Sequence, residues 1–116
     1  MTSIQELVRA LSARDGVEAV VLLGRDGLVV DAHSTSNVEA ERLAAVVPLV
    51  VGAADELGQH LSRGETTTIV LEYERGVAIV SPLNAEAILL VLATLQETGP
   101  LLYELRRNRG RLATLA

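Results

Sequence analysis

The sequence lacks several residue types on which common functional sites depend. It contains no cysteine, which excludes disulfide bonds, thiol nucleophiles and thiolate metal sites and is compatible with a cytosolic protein. It also contains no phenylalanine or tryptophan, so Tyr73 and Tyr103 supply the only aromatic rings. The core must therefore be packed with aliphatic side chains, and little aromatic surface remains for stacking bases or sugars.

Length and charge narrow the class of protein further. The 116 residues suit one domain, and 49% of them are hydrophobic, which supports an ordinary core without a structural metal. All ten basic residues are arginines, and the formal net charge of −5 argues against a nucleic-acid partner. Residues 101–116 hold four arginines and one glutamate, so their local charge is +3 and the rest of the chain carries −8.

No targeting or membrane segment is recognisable in the sequence. The N-terminal stretch "MTSIQELV" lacks the basic start and the long apolar run of a signal peptide. The longest uncharged run, residues 43–54, has 12 residues, well below the roughly 20 that a membrane span requires. We therefore expect a soluble, cytoplasmic protein.

Apolar periodicity and turn residues predict eight elements in a single domain, 1–116. Ser3 and Glu6 have the spacing of a capping box at the start of the first helix. Glycine-containing turns at 24–27 and 74–76 join two pairs of strands into hairpins, and "STSN" at 34–37 offers N-cap candidates for a long helix. The predicted order is α-β-β-α-β-β-β-α: a helix from 3 that stops at 14–16, strands at 17–23 and 28–32, a helix at 38–61, strands at 66–73, 77–83 and 87–93, and a helix starting at 98–100.

Two of the predicted strands are apolar on both faces. Residues 19–23 of the first strand and 87–93 of the fifth form continuous apolar runs, which indicates central positions in the sheet. The two hairpins make the sheet largely antiparallel. The predicted fold class is therefore α+β, a single five-stranded largely antiparallel sheet with helices on both faces.

The long helix has no charged or hydrogen-bonding side chain between Ala44 and Ala54. On a helical wheel one stripe is expected to pack on the sheet, made of Leu43, Val47, Val50, Ala54, Leu57 and Leu61. The opposite side is apolar at its centre and polar at its ends, with Val46 and Val51 widening the apolar band: Arg42, Ala45, Leu49, Gly52, Ala53, Glu56 and His60. Pro48 lies at the flank of this side, where a kink would shape the surface.

Two interpretations of the outward side compete. Either small residues are tolerated at the surface and only Leu49 is exposed, or the side is buried against another chain, whose backbone the small residues allow to approach closely. We favour the second, because no polar residue interrupts the apolar band.

The third strand offers a second surface for association. It has high β propensity and no proline, and if it lies at the sheet edge its unpaired backbone groups would bind a partner. Two copies related by a two-fold axis could pair these edges and place their long helices side by side. The edge residues expected to take part are Thr66, Thr68 and Val70.

The "LLGRDGLVVDAH" hairpin followed by a long Ala/Val/Leu helix, together with the closing "ILLVLA" strand and helix, resembles the Roadblock/dynein light-chain family over essentially the whole chain. The resemblance implies a homodimer joined through the long helix and the third strand into a continuous ten-stranded sheet. The prokaryotic, MglB-like branch implies a partner and activator of a Ras-like small GTPase, whereas other relatives act as scaffolds or adaptors. The chain is short and its basic residues are all arginines, which favours the bacterial branch. The absence of the long tail of some relatives argues against tail-dependent regulation.

No catalytic, cofactor or metal site can be assembled from these residues. Glu56 and His60 stand four residues apart on a helix, but two ligands make a poor metal site. The stretch "GAADELG" at 52–58 is helical and has no following lysine, so it is not a phosphate loop. Asp26 and Gly27 are turn residues.

The arginines near the C-terminus suit the end of a helix and a solvated basic face. The alternative is docking to an acidic partner or an anionic lipid surface through Arg106, Arg107, Arg109 and Arg111. Two functions therefore remain: a non-catalytic regulator of a Ras-like GTPase, or a dimeric scaffold without effect on nucleotide turnover.

Overall fold

Four helices and five strands make up the computed structural model, which describes residues 3–35 and 37–116. A single 3₁₀ turn, Leu95–Glu97, precedes the third helix. In chain order the elements are α1 Ile4–Ser12, β1 Val17–Gly24, β2 Val29–Ser34, α2 Ala40–His60, β3 Ile69–Tyr73, β4 Gly76–Pro82, β5 Ala87–Ala93, α3 Thr98–Arg107 and α4 Arg109–Leu115.

The five strands form one sheet in the order β2-β1-β5-β4-β3. Every neighbouring pair is antiparallel, so the predicted fold class is confirmed. The doubly apolar strands β1 and β5 are interior, as predicted, and they pair with each other. The edges are β2 and β3, and each of them pairs with only one neighbour.

Each face of the sheet has its own apolar core because alternate side chains of a strand point to opposite faces. On one face, α2 packs Ala44, Val47 and Val51 against the sheet. On the other face, α1, α3 and α4 cover the sheet together, with Val8, Leu101, Leu105 and Leu112 among their buried side chains. The helices therefore lie on both faces, one against three.

The start of α1 follows the prediction, and the start of α2 does not. The hydroxyl of Ser3 accepts a hydrogen bond from the backbone N–H of Glu6 at 3.2 Å, which caps α1. The predicted N-cap in 34–37 is wrong, because α2 begins at Ala40 with Glu39 as its N-cap and without a capping side chain. Thr35 instead donates its backbone N–H to the carbonyl of Glu18 and so extends the sheet. Of the four candidates, Ser36 lies outside the described residues.

The predicted last helix is divided into α3 and α4 at Asn108, which has φ −98° and ψ 6°. Its side-chain amide donates to the backbone carbonyl of Glu104 at 2.9 Å and to the carboxylate of Glu104 at 3.1 Å. Asparagine favours such local bonds to the backbone over a continued helix. The break redirects the chain so that Leu112 reaches the same core as Leu105.

A contact joins the β1–β2 turn to the N-terminal third of α2. Pro48 has no N–H, so the carbonyl of Ala44 lacks the hydrogen bond it would otherwise accept from the helix. Gly27 of the turn, with φ +86°, lies against this carbonyl: a methyl group added there would stand 3.4 Å from the Ala44 oxygen and 3.7 Å from the Ala45 Cα. The backbone angle therefore favours glycine at this position, whereas both distances are those of ordinary van der Waals contact.

A hydrogen bond ties the C-terminal half of α2 to the segment that leads into β3. The Asp55 carboxylate accepts the backbone N–H of Thr66 at 2.9 Å. Hydrogen bonds from the Thr66 side chain and backbone lower the pKa of Asp55, and the charge of Arg25 adds to the effect.

We predict that Gly27→Ala destabilises the fold by about 1–2 kcal/mol, because an alanine disfavours positive φ. The matched control is Gly110→Ala in α4, where nothing lies within 4 Å of the added methyl group. The control should stabilise the protein by up to about 1 kcal/mol, since alanine is the better helix former. Urea denaturation measures both, and equal effects of the two substitutions would contradict the role of the turn.

We also predict a pH-dependent role for Asp55. The pKa of Asp55 is lowered in the folded state. The stability that its ionised carboxylate contributes is therefore fully present above the pKa of an aspartate in the unfolded chain, about 3.9, and is lost as the pH falls through the folded pKa. Between about pH 6 and about pH 2.5, wild type should thus lose more stability than Asp55→Asn. Glu56→Gln, one residue along the helix, is the control and should behave like wild type.

Candidate interaction surface on the long helix

The outward side of α2 is apolar at its centre and open to solvent. Leu49 is 72% exposed, Leu57 is 61% exposed, and Val46 is 55% exposed. We call this surface the α2 patch and define it by Ala45, Val46, Leu49, Gly52, Ala53 and Leu57, all of which are exposed. Contiguous exposed apolar side chains of this kind mark interaction sites more often than singly scattered ones do.

Polar side chains border the α2 patch at both ends. Near the N-terminal end, Arg42 donates to the Glu39 carboxylate at 2.8 Å. Near the C-terminal end, the imidazole of His60 lies 4.0 Å from the carboxylate of Glu56. All four side chains are largely exposed, so these pairs add little to stability and remain available to a partner.

The structure places all seven predicted α2 residues on the exposed side of the helix: Arg42, Ala45, Leu49, Gly52, Ala53, Glu56 and His60. Gly52 has open space around it, since no atom lies within 4 Å of an added Cβ. A larger side chain at this position therefore fits the single chain without a clash.

The predicted core stripe is wrong in its rotation. The buried side chains are Ala44, Val47 and Val51, so the true inward side is turned by roughly 70° about the helix axis, counting 100° per residue. Leu57 and Leu61, predicted to be core residues, are exposed, and Val50 and Ala54 are only half-buried. Val51, which was assigned to the outward band, is 2% exposed.

Small residues on the inward side explain the rotation. A Cβ at Gly58 would stand 2.6 Å from the backbone oxygen of Gly64, so the chain after the helix turns back directly over this glycine. Ala44 is fully buried in the core between α2 and the sheet. These positions were the available signal in the sequence, because a helix that is apolar all round gives no decisive periodicity.

One helix leaves this face of the sheet incompletely covered. The four intervals of about 4.8 Å between five strands span roughly 19 Å, whereas a helix with its side chains is only about 10 Å wide. Side chains on both flanks of α2 are accordingly only partly buried. They are Val29, Ile69, Leu71 and Leu92 on the strands, and Leu43 on α2 itself is also partly buried.

The β3 edge lies beside this uncovered area. The strand begins at Ile69, so the prediction that Thr66 and Thr68 start it is wrong: the segment before Ile69 is held by Asp55 instead of by sheet pairing. Val70 does belong to the strand and is 38% exposed. The outer backbone groups of the strand face away from β4, its single neighbour.

The titratable side chains of the described residues are dispersed over the surface. Within 3–35 and 37–116, no group of three or more His, Asp or Glu side chains is arranged to hold a metal ion. The two imidazoles lie on separate elements, each beside its own carboxylate: His33 is 3.3 Å from Asp31 on β2, and His60 faces Glu56 on α2. Among the described helices, none has the length and hydrophobicity of a membrane span.

Comparison with known proteins identifies relatives in sequence and in fold. The profile of the Roadblock/LC7 domain matches residues 3–93. Two proteins of Methanocaldococcus jannaschii, MJ0714 and MJ0310, are 29% and 27% identical over 89 residues, which cover 77% of this chain and 75% and 77% of theirs.

Solved structures share the fold at low sequence identity. Myxococcus xanthus MglB superposes with a TM-score of 0.87 at 15% identity, covering 97% of this chain and 93% of that one. The gliding protein MglB of Thermus thermophilus gives 0.83 at 18% identity, covering 100% and 93%. A Roadblock/LC7 domain of Streptomyces avermitilis gives 0.72 at 23% identity, covering 91% and 97%. Since the domain profile spans most of the sequence, the chain belongs to the Roadblock/LC7 domain family.

Proposed function

We propose that this protein is a homodimer in which the α2 patches of two copies meet and the β3 edges pair. The supporting observation is the apolar surface that a single α2 leaves open: half-buried Ile69 and Leu71 on its flank and exposed Leu49 at its centre. A second α2 beside the first would cover what one helix is too narrow to cover. Because both copies use the same surface, the contact is self-complementary and closes at two chains.

The β3 edge supports the same arrangement. Ile69–Tyr73 contains no proline and no lysine, two of the residues that usually protect an exposed edge. Pairing β3 with its copy would join two five-stranded sheets into one of ten strands. The two α2 helices would then lie on the same face, with their outermost side chains forming a shallow platform.

The function proposed for the platform is binding of a Ras-like small GTPase in its GTP-bound form. The candidate contacts are residues on the parts of the platform that the helix pair would leave exposed: Arg42, Leu49, Glu56 and His60. Such a surface, with an apolar centre and a charged rim, has the composition of a transient protein interface. The resemblance of this fold to the MglB structures favours a GTPase over other partners.

The protein acts on its partner without an active site of its own. A ligand shifts a switch only through its different affinities for the two states, so activation would come from ordering the switch loops of the GTPase. One GTPase lying across the two-fold axis would occlude both half-sites, which gives two copies of this chain per GTPase. The second candidate function is a dimeric scaffold, which would bind without changing nucleotide turnover.

The first prediction from this proposed function is the mass in solution. Light scattering at micromolar concentration should return about twice the 12.3 kDa of the single chain. A monomer mass at this concentration would contradict the proposed dimer.

The second prediction concerns the centre of the α2 patch. Ala53→Arg or Gly52→Arg should leave the isolated fold intact, because both positions are exposed. Either change should weaken dimerisation by at least about 2 kcal/mol, or about thirtyfold, since a long cation would be buried between two helices. Ala10→Arg, an exposed alanine on α1, is the matched control and should remain dimeric.

The third prediction tests the partner. Calorimetric titration with a Ras-like GTPase from the same genome should show tighter binding to the form loaded with a non-hydrolysable GTP analogue than to the GDP form, at two chains per GTPase. The protein alone should bind neither GTP nor ATP at micromolar concentration. Equal affinity for the two loaded forms would leave only the scaffold function, and multiple-turnover GTP hydrolysis with and without the protein separates activator from effector.

A further inference from the structure

A shallow depression of about 490 Å³ lies on the outer side of α3, on the face of the sheet opposite α2. We call it the α3 depression and define it by the residues that line it. They are Gly99, Leu102, Tyr103, Arg106 and Arg107. No carboxylate lines it, and its composition is one glycine, one half-buried leucine, one phenol ring and two guanidinium groups.

The orientation of α3 makes this surface outward-facing. Leu101 and Leu105 are buried in the core on this face of the sheet, and they fix the inward side of the helix. Tyr103, Arg106 and Arg107 therefore face solvent, and Tyr103 is 64% exposed. The fold holds these side chains at the surface, where they do not contribute to the core.

The charged side chains of the depression have no partner within the described part of the chain. The guanidinium groups of Arg106 and Arg107 form no hydrogen bond or ion pair there, and the nearby carboxylate of Glu104 is bonded to the Asn108 amide at 3.1 Å. Each guanidinium group presents five N–H donors in a planar fork that suits carboxylates. The helix dipole accounts for cations in the last turn of α3, but it does not account for the exposed ring beside them.

The charge distribution of the protein indicates which charge an occupant of the depression should carry. The segment 101–116 carries +3 on a chain that is otherwise −8, and on the opposite face α2 holds Glu41, Asp55 and Glu56 against the single Arg42. The α3 side is thus the basic side of an acidic protein. It attracts a local acidic group, while the charge on the remainder of the chain repels a long polyanion such as nucleic acid.

We propose that the α3 depression binds a short acidic segment of a partner protein. From Gly99 to Arg107 the helix rises about 12 Å, the length of about four extended residues. Two carboxylates of the segment would pair with Arg106 and Arg107, and an apolar side chain between Tyr103 and Leu102 would lie over the space left by Gly99.

A protein segment fits this surface better than a lipid bilayer does. Tyrosine and arginine are the residue types enriched at protein interfaces and at their energetic centres. A bilayer presents a broad plane of charge, which would contact the rim of a recess without filling it. The inference does not depend on the proposed dimer or GTPase. If both hold, the protein can bind one partner on each face at the same time.

The test is an NMR titration of the ¹⁵N-labelled full chain with a synthetic hexapeptide that contains one leucine and three glutamates. Shift changes should be confined to the amides around Gly99–Arg107, and raising the salt from about 0.05 M to about 0.5 M should weaken binding several-fold. The matched probe, with lysines in place of the glutamates, should not bind. Absence of shifts in this region with the acidic peptide would overturn the proposal.

Two variants connect the binding to the depression. Arg106→Glu with Arg107→Glu should weaken peptide binding at least about tenfold, because attraction becomes repulsion. Gly99→Glu should weaken it comparably by placing a carboxylate in the recess, and the space around Gly99 lets this variant fold. Arg63→Glu, an exposed arginine in the loop after α2, should bind like wild type.

Anionic vesicles provide the competing outcome. Co-sedimentation with phosphatidylserine vesicles that is lost in the Arg106 and Arg107 double variant, without peptide binding, would show a lipid site and overturn the proposal. Peptide binding that survives both the double variant and Gly99→Glu would place the interaction elsewhere and overturn it as well.

Discussion

The sheet is apolar on both of its faces, and the arrangement of the helices follows from that constraint. The interior strands β1 and β5 carry aliphatic side chains in both directions, from Val20 and Val91 on one face to Val21 and Leu90 on the other. Neither face of these strands can be left in water, so helices must lie on both. With few aromatic rings in the chain, area can be covered only by many small aliphatic contacts, and the width of the covering helices becomes decisive.

The two faces meet this requirement unequally. Three helices cover one face, and the side chains that they bury, such as Leu101 and Leu112, are sealed from solvent. A single helix covers the other face and leaves Ile69 and Leu71 half-buried on its flank. The apolar outward side of α2 and those flanking side chains therefore belong to the same incompletely covered face of the domain. This relation explains why so small a domain keeps a helix without a continuous polar side.

The sequence was sufficient for the element order, the central strands and the antiparallel sheet, because these follow from alternation and turn chemistry within short segments. It was insufficient for the rotation of α2. A helix that is apolar all round has no preferred side in isolation, and the inward side was selected by packing against strands distant in sequence, which buries Ala44, Val47 and Val51. Leu57 and Leu61 were misassigned for that reason. The start of α2 was misplaced because Thr35 is engaged by Glu18 of β1, a pairing that local pattern does not reveal.

The seven residues assigned to the outward side of α2 are all exposed, whereas several residues assigned to its core are not buried, and there is a physical reason for this difference. Arg42, Glu56 and His60 must face water in any rotation, since a buried unpaired charge is far more costly than an exposed leucine. They fix the outward direction, and the small residues between them share it. The α3 depression can be explained in a similar way, starting from buried residues. Leu101 and Leu105 define the inward side of this short helix, so Arg106 and Arg107 lie on its outward side. In this fold the sheet separates the two outward surfaces, so an acidic side that presents an apolar centre and a basic side that presents two free guanidinium groups are available to chemically different partners.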